Sequence, residues 1–94
     1  MTAGRHQITM EDLKKQHEKL LAKIVERYGE KGWGISVSRH EIYGLLAEEM
    51  KEALDALQAA QSYETYGDYY YELLDVAVAA LHGMTSIASG KLDW

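Results

Sequence analysis

Residues 48–75 read EEMKEALDALQAAQSYETYGDYYYELLD. Two stretches rich in Leu, Ala and Tyr flank a break at QSYETYG, and five acids ride on them: Glu48, Glu49, Glu52, Glu72 and Asp75. Acids on a solvated helix usually have bases one turn further on. Lys51 follows Glu48, but Glu49, Glu52, Glu72 and Asp75 have no Lys or Arg three or four residues C-terminal to them. Asp75 is the most exposed to question, because no charged residue lies between Val76 and Gly90 if His82 is neutral. A carboxylate in so apolar a run is costly unless a cation meets it. No base is near in sequence, so a metal ion is the simplest partner.

Helical periodicity sets these acids in place. Ser38 and Glu41 form a capping-box pattern, which predicts a helix from Arg39 to about Gln61. Ile42, Leu46, Met50, Ala53 and Leu57 give it an apolar face, widened by Tyr43, Ala47 and Leu54. With Glu48 at zero on the helical wheel, Glu52 falls near ~40° and Glu49 near ~100°, with Glu41 and Asp55 within ~20° of Glu48. A further helix is predicted from about Asp68 to Ala88, stopped by Gly90. Glu72 and Asp75 share one of its faces, and His82 lies two turns beyond on the same side. Its interior, LLDVAVAALHGM, is apolar nearly all round, which predicts burial on most sides. An N-terminal helix from Met10 to about Tyr28 has Thr9 and Asp12 as its capping pair, and YGEKGWG stops it. The fold expected is therefore all-α, a bundle of about three main helices. Three helices cannot wrap the last one, so a second chain is expected to complete the bundle.

The chain has 94 residues, which predicts one domain over 1–94 with a flexible tail at 1–8. It has no cysteine, no apolar leader in MTAGRHQITM and no apolar run of membrane-spanning length. These point to a cytoplasmic chain without a membrane partner. The formal net charge of −5 argues against a nucleic-acid polymer as ligand and suits a site that recruits cations. Two carboxylate pairs on facing helices can converge oxygen ligands in a bundle core. Oxygen-only ligation suits Mg²⁺, with Mn²⁺ as the substitute, and implies metal-assisted phosphate chemistry.

The pattern Glu48-Glu49-Met50-Lys51-Glu52 followed by Glu72-Leu73-Leu74-Asp75 resembles the signature of the MazG-like, all-α nucleoside triphosphate pyrophosphohydrolases, a superfamily that includes the all-α dUTP and dCTP pyrophosphatases. The resemblance runs from about Trp33 to Ile87. It implies a homodimer or homotetramer. It implies Mg²⁺-dependent attack of water between the α- and β-phosphates of a nucleoside or deoxynucleoside triphosphate, giving the monophosphate and pyrophosphate. By motif position Glu49, Glu52, Glu72 and Asp75 are the metal ligands, and Glu48 joins them, orients a second metal or helps activate the water. Catalytic roles thus fall on Glu48, Glu49 and Glu52. Many relatives carry Asn near the position of His82, and several larger ones have more bases around the phosphates. Here triphosphate binding must draw on Lys31, Arg39 or Lys91, or on another subunit.

Other residues keep two readings. Trp33, between Gly32 and Gly34, either stacks on a base or plugs the bundle end. His82 either contacts a phosphate or metal-bound water, or is a hydrogen-bonded core histidine. The tyrosines at 69–71 span different faces and serve mostly packing. The alternative for the whole chain is a non-catalytic helical oligomerisation or regulatory module that binds a divalent ion structurally. A di-iron carboxylate bundle is disfavoured, because neither acidic pair supplies the Glu-x-x-His of such sites. If the four acids repel one another without metal, Asp75→Asn is expected to melt higher than wild type in the metal-free state at neutral pH.

Overall fold

In the computed structural model, which describes residues 4–61 and 66–94, the chain is all-α. Its helices are α1 (Met10–Lys31), α2 (Arg39–Ala59) and α3 (Tyr66–Ala88). The capping pair of α1 forms in full: the Thr9 hydroxyl accepts from the Asp12 amide at 3.1 Å, and the Thr9 amide donates to the Asp12 carboxylate at 2.9 Å. These bonds hold the Asp12 carboxyl below its usual pKa. α1 continues through Gly29 and ends three residues later than the sequence predicts. The stop is Gly32, whose φ of 100° few other residues adopt, and its amide closes the last turn on the Tyr28 carbonyl at 2.8 Å.

At α2 only half of the expected box forms. Ser38 caps the Glu41 amide, but the Glu41 carboxylate takes the amide of Val37 instead of that of Ser38. α2 closes at Ala59, two residues short of the predicted end, and α3 opens at Tyr66, two residues early. Residues 62–65, between them, lie outside the described residues, and so does that part of the tyrosine-rich run.

α3 packs mainly on α2, and α1 rests on α3 along a narrower line. α2 and α3 are antiparallel: Ile42 at the start of α2 meets Gly83 near the end of α3, and Glu52 meets Glu72 further along. Ile42, Leu46, Ala53 and Ala56 form the covered edge of α2. Among the described residues, the fully covered apolar side chains are few, namely Ile24, Ala53 and Val78. α3 is less enclosed than its composition predicts, since Leu73, Met84 and Ile87 are exposed. The loop after α1 is tied down by polar bonds. The amide of buried Ser36 donates to the Ser86 hydroxyl at 3.1 Å, and the Asp93 amide donates to the Val37 carbonyl at 2.7 Å. Among the described residues, no helix is long and apolar enough to cross a membrane.

Candidate metal and phosphate site

The antiparallel pairing of α2 and α3 brings Glu49 opposite Glu72 and Asp75. Carboxylate oxygens of these three lie within 4.8 Å of one another. Each residue is half-buried. Glu49 sits on the covered edge of α2, on the same line as Ile42, Leu46 and Ala53, so helical spacing turns it inward. Glu72 and Asp75, three apart, share the facing side of α3.

The charges are poorly accommodated as they stand. Glu49 Oε2 and Glu72 Oε2 are buried and have no hydrogen-bond partner. Burial raises the Glu49 pKa, the nearby charges of Glu52, Asp75 and Glu72 raise it further, and Arg27 opposes them. Glu72 is raised by burial first, then by the charges of Asp75 and Glu52 and by a contact with the Glu52 carboxyl that only a shared proton makes attractive. Two buried oxygens without donors, in an all-oxygen set, fit a hard divalent cation. Glu52 stands beside this group through Glu72, on the exposed side. Glu48 is exposed, away from the converging three.

Asp75 corrects one inference. Its cationic partner is Arg27 of α1, whose Nη2 donates to Asp75 Oδ1 at 2.8 Å. The need for a counter-charge at Asp75 therefore does not by itself call for a metal. The argument for one passes to Glu49 and Glu72, each of which has one buried oxygen without a partner.

Beside the acids opens a cleft of about 320 Å³. α1 lines it with Arg27, Tyr28 and Lys31, α2 with Glu41, Leu45 and Glu49, and α3 with Asp75, Val78, Ala79 and His82. Its cations stand on α1, and its three acids on α2 and α3. His82 is held at both ring nitrogens, with Nδ1 2.7 Å from the Tyr28 hydroxyl and Nε2 3.1 Å from the Ser36 hydroxyl. That is the hydrogen-bonded histidine of the two readings, placed in the cleft wall. Burial raises the Tyr28 pKa, so its hydroxyl stays protonated. Trp33 is exposed and packs on Tyr28, ring centres 4.9 Å apart, which sets it at the rim and not in the bundle end.

No family model, characterised protein or solved structure matches the chain. Of the five residues assigned to substrate from sequence, Lys31 and His82 line the cleft and Trp33 borders it through Tyr28. Arg39 instead lies over the Trp94 ring, 5.0 Å from its centre, and neither Arg39 nor Lys91 lines the cleft. Arg27 and Tyr28 are the site residues that the sequence did not reveal. The one signal for Arg27 was its spacing from Lys31, four apart on the last turns of α1, which puts both on one face.

Proposed function

We propose that the chain is a Mg²⁺-dependent nucleotide pyrophosphohydrolase that acts as a homo-oligomer in the cytoplasm. The observation that carries this reading is the convergence of Glu49, Glu72 and Asp75, with two buried carboxylate oxygens left unpaired, at the mouth of a cleft with a cationic wall. Glu49, Glu72 and Asp75 would hold Mg²⁺ or Mn²⁺, with Glu52 next to them. When bound, the ion supplies Lewis-acid polarisation of phosphoryl oxygens and a more acidic water. The chain's own part is to bind and orient. Lys31 offers charge to phosphate oxygens, and Tyr28, fixed by His82, offers a hydroxyl donor. Glu52, exposed beside the group, is the acid placed to take a proton from water, whereas Glu48 stands away from it. The reaction adds water between the α- and β-phosphates and releases the monophosphate and pyrophosphate.

Pyrophosphate release from a panel of nucleoside and deoxynucleoside triphosphates, with Mg²⁺ and with EDTA, tests the reading. Metal-dependent release is expected, and it should fall by at least ~10²-fold in Glu72→Gln, as for loss of a catalytic-metal ligand or its charge. The Arg27–Asp75 ion pair favours a second reading, in which the acids serve structure alone. A chain that melts higher with Mg²⁺ yet releases no pyrophosphate from any of the panel is that module.

A further inference from the structure

We propose that Arg27 is a shared cation: it holds Asp75 while the acidic group is without metal, and it turns to phosphate oxygens in the cleft once a divalent cation takes Asp75. This rests on the metal reading above and specifies how the site couples its two ligands.

Arg27 is placed for both tasks. Its Nη2 lies 2.8 Å from Asp75 Oδ1, and its side chain, 30% exposed, also lines the cleft that holds Lys31 and His82. Asp75 is at once its partner and a member of the converging three. A guanidinium has five donors in a planar fork, and one contact to one carboxylate oxygen leaves most of them for another acceptor. The charges facing it are Glu49 of α2, Asp75 of α3 and, one turn along α1, Lys31. A divalent cation at Glu49, Glu72 and Asp75 competes with Arg27 for Asp75 and repels it. The opening that accepts it is the cleft, where an anion is the complementary ligand. Cation and phosphate then favour each other, and the coupling is reciprocal.

The ordinary alternative is that Arg27 simply ties α1 to α3. The two ideas differ in sign. Full-length wild type and Arg27→Gln are titrated with Mn²⁺, free metal being followed by electron paramagnetic resonance. Inorganic phosphate is then titrated calorimetrically at saturating Mn²⁺. With the competing charge gone, Arg27→Gln should bind Mn²⁺ about three- to tenfold more tightly, as expected for one half-exposed charge pair. It should bind phosphate about tenfold or more weakly, since a charge-assisted fork is lost. A structural tie predicts that both weaken. Equal or weaker Mn²⁺ binding, or unchanged phosphate binding, overturns the proposal. Should Arg27→Gln fail to fold by circular dichroism, Arg27→Lys carries the test. It keeps the charge and loses the fork, so Mn²⁺ binding should stay near wild type while phosphate binding falls severalfold. Phosphate binding equal to wild type overturns the idea there too. If wild type takes up no Mn²⁺, the metal reading itself falls. Mn²⁺ uptake that Glu72→Gln weakens and Arg27→Gln leaves unaltered removes only the role given to Arg27.

Discussion

Glu72 holds a poorly accommodated charge. It has a buried oxygen without a donor and acids on three sides, Asp75, Glu52 and Asp68. Its pKa and that of Glu49 are raised above the unfolded carboxyl value of about 4.3. The folded chain thus binds more protons than the unfolded one. The stability these two groups contribute is complete below about pH 4 and is lost as pH rises through their raised values. Asp12 works in the opposite sense, losing its contribution as pH falls below about 4, so the window for Glu49 and Glu72 lies above that. Melting in EDTA should therefore occur at falling temperatures from about pH 5 towards neutrality. Glu72→Gln should flatten that slope, melt higher than wild type in EDTA at pH 7, and lose most of the gain from Mg²⁺. A Glu72→Gln protein that melts lower in EDTA yet responds fully to Mg²⁺ places Glu72 outside the site. Sequence alone assigns this behaviour to Asp75→Asn. The structure argues for the opposite there, because a neutral amide in place of the Asp75 carboxylate breaks the part-buried ion pair with Arg27, and that variant should melt lower.

Helices α2 and α3 approach closely where Ile42 meets Gly83. A Cβ added at Gly83 would lie 2.8 Å from Ile42 Cγ2, inside any ordinary contact. Replacing a helical Gly by Ala normally gains about 1 kcal/mol. Overpacking of about 1–3 kcal/mol should outweigh that gain at Gly83, so Gly83→Ala is expected to destabilise. Gly44→Ala, in α2 with open space around it, should stabilise instead. Adding Ile42→Ala to Gly83→Ala should recover part of the loss, and denaturant melts of the four variants form the cycle that checks it. Gly83→Ala as stable as Gly44→Ala would mean that the helices are not this close. The helices themselves were legible because local rules decide them: Thr9 with Asp12, Ser38 before Arg39 and Gly90 after α3 all mark real ends. Contacts between helices were not. Gly83 reads as a propensity defect until Ile42 is known to face it, and Arg27 reads as a surface base until α1 is laid on α3. The meeting of Glu49 with Glu72 and Asp75 was legible from spacing on facing helices, whereas Glu52, expected as a fourth ligand, lies on the exposed side of the group. The place of Arg39 at Trp94 was not, as it depends on where the C-terminus returns.

The chain as a whole exposes more than a monomer of its size should. Its accessible surface is 7522 Å², against about 5,500 Å² for a compact chain of this mass. Its radius of gyration is 15.6 Å, where about 12 Å is usual. Setting aside the nine residues ahead of α1, about 1,450 Å² at most, and comparing the rest with about 5,100 Å² for a compact chain of their mass still leaves an excess of about 1,000 Å². A standard interface covers about 800 Å² on each partner. The excess has a place. Tyr43, Met50, Leu54 and Leu57 are exposed and recur on α2 at spacings of seven, four and three, a seam period. They lie about 100° round from the edge that meets α3. Leu73, Met84 and Ile87 are displaced in the same sense from Gly83 on α3. On antiparallel helices, equal displacements fall on one side of the pair. Asp75 and His82 are displaced in the other sense, towards α1 and the cleft. One side of the α2–α3 pair thus bears the site and the other an apolar face, which a second copy can cover as a four-helix arrangement without blocking the cleft. Sedimentation of wild type at micromolar concentration should give a dimer or larger. Leu54→Glu, at an exposed position, should shift it towards monomer and lower its melting temperature, while Tyr71→Glu, exposed but off this face, should not. The monomer fraction of Leu54→Glu should keep its helical circular dichroism at low temperature, which separates lost association from lost folding. A wild type that sediments as a monomer and melts cooperatively at that concentration would show that the apolar face serves something other than a second copy.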